Sequence, residues 1–252
     1  AAAAGPEPEV GCALHLDPAA RNYVELPHSS GIQFKGTKTF TFEAWVMPYQ
    51  GSGEFGGTIL SKYNRGVKGQ YFLHVDYEGR VFLHREVAPY GLRTEEAIPA
   101  NMYTHIAVAY GEGHSKIYIN GTLRASQEEE GMAEDDETPI YIGAIHDKGL
   151  PNSIFQGALD EVRIWEIERT QVEIESSMHY MLTGSEYGLL GYWTFDECAG
   201  LKLRDALGAN DGAIHGGKWV HSPVRLYNYK QKFLDEEGVA DDEGGEGGGM
   251  SR

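Results

Sequence analysis

Six acidic residues fall within the nineteen positions of GALDEVRIWEIERTQVEIE, Gly157 to Glu175, and two of them, Asp160 and Glu161, are adjacent. Carboxylates so concentrated could act as an acid/base pair, hold a cation, or only mark a fold. Retaining glycoside hydrolysis needs two carboxyl groups about 5–5.5 Å apart, which alternate residues on one face of a strand can supply. Adjacent strand residues point to opposite faces. Alternation therefore places Asp160 in phase with Val162 and Ile164, and Glu161 in phase with Arg163 and Trp165, which counts against an acid/base pair. Asp76 and Glu78 do alternate in HVDYEG, but Glu78 stands beside a turn glycine and the segment reads as an ordinary hairpin. Glu173 and Glu175 belong to a helix, where residues two apart do not face each other. No G-x-S-x-G nucleophile elbow occurs. His15, His74, His84 and His105 sit within strand patterns and read as packed strand residues, so the expectation is a non-catalytic chain.

Asp160 enters its strand on the apolar side, where an unpaired charge is costly, so it needs amides, a base or a cation. Calcium takes six to eight oxygen ligands and suits acidic, loop-rich proteins, which makes Asp160 a candidate calcium ligand. Loop aromatics are the other chemistry-bearing group. Tyr49 and Phe55 lie in PYQGSGEFGG, Tyr63 follows, and Tyr90 lies in APYGLR; exposed rings stack on sugar faces or anchor protein partners.

The elements that would position these residues are strands. The chain has 252 residues, 41% of them hydrophobic, with 33 glycines and 15 tyrosines, a composition that favours short strands and tight turns. In KTFTFEAWV, Phe40, Phe42, Ala44 and Val46 share one face, and Thr41, Glu43 and Trp45 the other. In THIAVAYG the faces are Ile106, Val108 and Tyr110 against His105, Ala107 and Ala109. QYFLHVDYEGRVFLHREV reads as a hairpin reversing at Glu78-Gly79, and KIYINGTLRAS as one over Asn120-Gly121 in a type I′ turn. One helix is expected: Thr170 and Glu173 form a capping box, followed by Ile174, Met178 and Met181 as its apolar stripe. The predicted fold class is all-β, a two-sheet antiparallel sandwich with one short helix, over residues 10–227. Residues 1–9 read as a flexible N-terminus and 228–252 as an acidic, Gly-rich disordered tail.

The formal charge is −17, from 38 acids and 21 bases, which disfavours nucleic acid and anionic membrane surfaces as partners. No apolar run is long enough to span a membrane. Cys12 and Cys198 are the only cysteines and read as two separate thiols, Cys12 being in phase with the core residues Leu14 and Leu16. If they pair, the loop is very long and its closure is worth on the order of 5 kcal/mol. The cysteines and the tail fit either compartment, and an extracellular setting is favoured.

Taken in order, ALHLD with YVELP, FTFEAWVMP, YTHIAVAYGEGHSKIYINGT, IYIGA, FQGALDEVRIWEIERTQVEI and GLLGYWTFDE resemble the laminin G-like jelly-rolls of the concanavalin A-like lectin/glucanase superfamily. The resemblance runs from about Gly11 to about Val224. It implies a jelly-roll of two curved antiparallel sheets whose concave face and rim loops carry ligands in many relatives. It implies no one activity, because the superfold hosts lectins, glycosidases, pentraxins and adhesion modules. The calcium-dependent pentraxins bind their ions through two loops whose counterparts here contain Asn64 and Asp147. Lys62, Arg65, Lys68 and Lys148 crowd those loops, and the full acid cluster of a two-ion site is missing.

Three functional readings follow. In the first, a recognition module binds carbohydrate through rim loops at Tyr49, Phe55, Tyr63, Asn64 and Tyr90, assisted by calcium at Asp160, Asp147 and Asn64. In the second, the sandwich is a protein-interaction or scaffold domain of a larger chain or complex. The third, a glucanase, ranks last because the alternate-acid strand is absent.

Overall fold

The computed structural model describes residues 9–28, 32, 38–50, 55–63, 70–129, 137–147 and 150–228. The strands in chain order are β1 (Glu9–Leu16), β2 (Tyr23–Leu26), β3 (Phe40–Pro48), β4 (Gly57–Lys62), β5 (Tyr71–Val75), β6 (Arg80–Arg85) and β7 (Gly91–Ala97). Then come β8 (Thr104–Gly111), β9 (His114–Ile119), β10 (Thr122–Glu128), β11 (Ile140–Ile142), β12 (Ile145–Asp147), β13 (Leu150–Asn152) and β14 (Gly157–Trp165). The helix α1 (Gln171–Ser177) precedes β15 (Tyr180–Met181), β16 (Leu189–Trp193), β17 (Lys202–Leu203), β18 (Gly212–His215) and β19 (Lys218–Asn228). The expected all-β architecture of two large sheets and one short helix is what forms. Residues 1–8 and the acidic tail from 229 lie outside the described residues.

The first sheet runs β10-β9-β8-β3-β14-β1-β19-β15, with β16 also beside β14; the second runs β17-β18-β2-β11-β4-β5-β6-β7. Alternation puts one face of each sheet into a shared core. Phe42, Val46, Ile106, Val108, Leu159 and Ile164 of the first sheet meet Val24, Leu73, Leu83 and Ile142 of the second. The local signals are realised. Asn120 and Gly121 have φ of 49° and 77°, the double positive φ of a type I′ turn. Asp76 Oδ1 accepts from the amides of Glu78 and Arg80 at 2.9 Å each, so this acid organises the β5–β6 turn.

The capping box is present: Glu173 Oε2 accepts from the Thr170 amide at 2.7 Å, and Thr170 Oγ1 from the Glu173 amide at 3.3 Å. The helix is shorter than its expected stripe. It ends at Ser177 with Met178 as C-cap, and Met181 belongs to β15.

The connection from β14 to β16 lies across the outer face of the first sheet. Thr41 Oγ1 and Trp45 Nε1 donate to the carbonyls of Ile167 and Met178 at 2.8 and 3.0 Å. Ile174 packs on Ala107, Ala109 and Tyr118. Both faces of β3, β8 and β14 are consequently buried. Among the described residues no helix lies on the outer face of the second sheet, and the hairpin β12–β13 lies against part of it. No helix among the described residues is long and apolar enough to cross a membrane.

The cysteines are a correction to the reading of separate thiols. Cys12 and Cys198 form a disulfide, with Sγ–Sγ 1.99 Å, that ties β1 to the loop after β16 across 186 positions of sequence.

Candidate functional site

The acids of β14 sit where the first sheet changes neighbours. Gly157, Ala158 and Leu159 pair with β1, whereas Val162 to Trp165 pair with β16. On the other side, Asp160 faces Trp45 and Arg163 faces Glu43, so Glu161 and Val162 together oppose Ala44. This extra residue is a β-bulge, and Glu161 adopts φ of 53° to form it. Leu159 and Val162 both stay in the core, which puts Asp160 and Glu161 together on the outer face. The expectation that alternation separates the two carboxylates is therefore overturned. Asp160 does not share the face of Val162 and Ile164, because the inserted residue shifts the phase by one.

The two acids line a pocket of about 250 Å³ with Asp196, Met181, Val224 and Leu226. Asp160 is 3% exposed, and its Oδ2 accepts from Ser222 Oγ at 2.5 Å. Burial, then the neighbouring Glu161 charge, push its carboxyl well above the usual carboxylate range. Glu161 Oε2 accepts from Tyr192 Oη at 2.6 Å and from Arg163 Nη2 at 3.1 Å. Burial outweighs these partners and raises Glu161 to about 7. Asp196 approaches so closely that a Cβ on Gly11 would lie 1.8 Å from its Oδ1, and it accepts from the Cys12 amide at 3.0 Å. This pocket is smaller than the usual 300–1,000 Å³ of ligand clefts.

Next to it, under the connection from β14 to β16, hereafter the strap, lies a buried ion network. Glu43 accepts from Arg169 Nη1 at 2.6 Å and stands 3.3 Å from His105 Nε2 and 4.0 Å from Arg163 Nη1. Burial alone would raise Glu43, but the His105 hydrogen bond and the charges of Arg169, His105 and Arg163 bring it down to about 2. Arg169 also donates to the Glu173 carbonyl, and Arg163 to those of Ser177 and Tyr180. The network therefore fastens the strap and helix to the sheet. His105 is a packed member of it, in line with its sequence reading.

The predicted metal ligands lie on different elements where they are described. Asp160 is in the first sheet, Asp147 ends β12 opposite Leu150 of β13, and Asn64 lies outside the described residues. Among the described residues no group of three or more His, Cys, Asp or Glu is placed to hold a metal ion.

The predicted ring residues divide between two ends of the sandwich. Tyr49 follows β3, with its amide bonded to the Gln156 carbonyl; Gln156 in turn bonds to Gly56 near Phe55, which packs against the core. At the far end of β4, Tyr63 Oη donates to Glu86 Oε1 at 2.6 Å, and the Tyr90 carbonyl accepts from Arg85. Tyr63 joins Phe72 and His84 edge-on, whereas Tyr90 is 57% exposed with φ of 73°.

A different set of rings is brought together on the outer face of the second sheet. His215 stacks on Tyr23 with centroids 4.5 Å apart, Tyr23 meets Tyr141 edge-on at 5.9 Å, and Tyr141 stacks on His146 at 3.8 Å. Register explains it: Tyr23 pairs with His215, and Glu25 pairs with both Ala213 and Tyr141. The ladder ends at His215, which lines a groove of about 500 Å³ with Glu25, Pro27, Leu201, Lys202 and Asp211. Lys202 Nζ lies 2.6 Å from Asp211 Oδ2, and His215 Nε2 lies 3.6 Å from Glu25 Oε2. Burial and the Glu25 charge push Tyr141 up to about 12, so its hydroxyl keeps its proton. Burial pulls His146 down, favouring the neutral ring. The groove thus presents the His215 ring, backed by Tyr23, with carboxylate acceptors and an ammonium donor beside it. Sequence reasoning missed these residues. Tyr23 and Glu25 do alternate in YVEL, but nothing local says that β18 and β11 flank them.

Residues 18–175 match the family described as the concanavalin A-like lectin/glucanases superfamily. The chain belongs to this superfamily. None of the curated proteins compared matches its sequence. Among solved structures, it is similar to a Bacteroides ovatus protein described as a candidate carbohydrate-binding protein, with a TM-score of 0.68 and 22% identity over 87% of this chain. The chain spans 62% of the length of that protein. It is similar to the heptameric SAP-like pentraxin of Limulus polyphemus, with a TM-score of 0.55 and 14% identity over 87% of this chain and 97% of the pentraxin. The CBM40 module of a Ruminococcus gnavus IT-sialidase gives a TM-score of 0.50 and 12% identity over 68% of this chain and 98% of the module. At these identities the likeness establishes the shared lectin-like fold.

Proposed function

We propose that this superfamily member is a carbohydrate-recognition module whose glycan binds in the groove beside His215 on the outer face of the second sheet. One observation carries the reading: a ladder of aromatic and imidazole rings ends at a groove that also holds Glu25 and the Lys202–Asp211 pair. A pyranose has an apolar face and a ring of hydroxyls, which matches a ring surface flanked by charged acceptors and a donor. Two described neighbours, the Bacteroides ovatus protein and the CBM40 module, associate the fold with carbohydrate and support the class of ligand. The site lies away from the rim tyrosines expected from sequence.

Ring contacts of about 1 kcal/mol and a few charge-assisted hydrogen bonds of about 1.5–3 kcal/mol each, less the cost of association, lead to millimolar-to-micromolar dissociation constants, about −4 to −8 kcal/mol. The test is a glycan array followed by calorimetry on the best ligand. Tyr23→Ala and Lys202→Ala should each weaken binding about tenfold, the value of 1.4 kcal/mol. Tyr90→Ala, across five to six strand spacings or about 25 Å of sheet, should leave binding unchanged. Binding that survives Tyr23→Ala and Lys202→Ala but is lost in Tyr90→Ala would return the site to the rim. EGTA is the metal control.

A further inference from the structure

Asn120, Gly121 and Thr122 spell Asn-Gly-Thr, the Asn-x-Ser/Thr acceptor pattern of N-glycosylation, whose modified residue must be reached on a surface turn. The three occupy the β9–β10 reversal, with Asn120 and Thr122 exposed. Asn120 is held by its own backbone and side chain: its amide donates to the His105 carbonyl at 2.8 Å, and its Oδ1 accepts from the His105 amide at 2.9 Å. These bonds fix the carboxamide by its oxygen. Nδ2 makes no hydrogen bond among the described residues. An N-linked sugar replaces one proton of Nδ2 and leaves Oδ1 in place, so the bond to His105 survives the modification. A second, unrelated feature agrees in compartment: the Cys12–Cys198 disulfide belongs to oxidising settings such as the secretory route, where N-glycosylation takes place.

We propose that Asn120 is an N-glycosylation site of this protein. The donor is an oligosaccharide carried on a lipid diphosphate. The bond from the anomeric carbon to the diphosphate oxygen breaks, the anomeric carbon bonds to Nδ2, one amide proton departs, and the lipid diphosphate leaves with the electron pair. No oxidant or reductant is required. The sugar would stand at β10, the terminal strand of the first sheet beside β7, whereas the His215 groove lies beside β17 at the opposite edge of the second sheet. Glycosylation therefore leaves that groove open, and the proposal does not depend on what the groove binds.

The experiment is secretion of the chain from a eukaryotic cell line, with intact mass and gel mobility measured before and after peptide:N-glycosidase. Wild type and Thr122→Ser should carry one glycan, and the released protein should contain Asp at position 120. Thr122→Ala and Asn120→Gln should carry none. Thr122→Ala keeps the asparagine and its bonds to His105, so its loss of the glycan, with an unchanged melting curve, separates acceptor chemistry from misfolding. A secreted, folded wild type without glycan, from cells that modify a control glycoprotein, would overturn the proposal. So would a glycan that persists in Thr122→Ala.

Discussion

Replacing Glu43 by Gln keeps the shape of a fully buried side chain and removes the anion that Arg169, Arg163 and His105 share. In the folded chain Glu43 ionises at about 2 against an ordinary value of 4.5. Each pH unit of that displacement is worth about 1.4 kcal/mol, so the network contributes about 3 kcal/mol at neutral pH. Loss of one partner from a buried ion pair costs about 3–5 kcal/mol, which agrees. Because the folded value is depressed, this stability is present above 4.5 and is lost as pH falls towards 2; about 2 kcal/mol of it is gone by pH 3. For a chain of this size, 3 kcal/mol corresponds to a fall in Tm of roughly 6–12 °C. Urea and thermal denaturation of wild type and Glu43→Gln between pH 3 and 7 read it out. The gap should be largest at pH 7 and narrow towards pH 3. Equal stability at pH 7, or a gap independent of pH, would refute the assignment of Glu43 as the anchor of the strap.

Glu161 gives the opposite sign: its folded value of about 7 is raised from 4.5, so the protonated form stabilises the fold at low pH, and about 3 kcal/mol is lost as pH rises through 7. Glu161→Gln should reduce that decline between about pH 4.5 and 7, leaving the part due to Asp160, which burial also raises; an undiminished decline would show that Glu161 does not cause it. Cys12→Ala with Cys198→Ala should lower stability by on the order of 5 kcal/mol on the chain-entropy argument for so long a loop, read by urea denaturation; no loss would mean that the bridge does not form. Added calcium should leave Tm unchanged, since Asp160 is bonded to Ser222 and no described ligand set surrounds it. A calcium-dependent rise that Asp160→Ala abolishes would make Asp160 a ligand.

Local signals in the sequence carried most of the fold. Two-residue alternation marks the strands, Asn120-Gly121 marks a hairpin, and Thr170 with Glu173 marks the helix start, because each depends on residues within a few positions of one another. The bulge at Glu161 defeats the same alternation argument. One inserted residue reverses the phase, and neither its positive φ nor the change of neighbour from β1 to β16 is written in DEVRIW. Met181 fits the helical stripe but belongs to a strand, since it packs with Trp45, Val224 and Leu226 rather than with the helix. The groove was illegible for a topological reason. Tyr23, Tyr141 and His215 lie in three short strands far apart in sequence, and only sheet order makes them neighbours. The disulfide is likewise a contact across 186 positions, with no local signature.

The proposed carbohydrate site rests on the ring ladder that ends at a groove on the outer face of the second sheet. The most direct test is calorimetric titration of the wild type and of Tyr23→Ala with the strongest glycan from an array. Saturable binding with a dissociation constant below about 1 mM, weakened about tenfold in Tyr23→Ala, is expected. The absence of any glycan that binds, or a Tyr23→Ala protein that binds as wild type does, would contradict it.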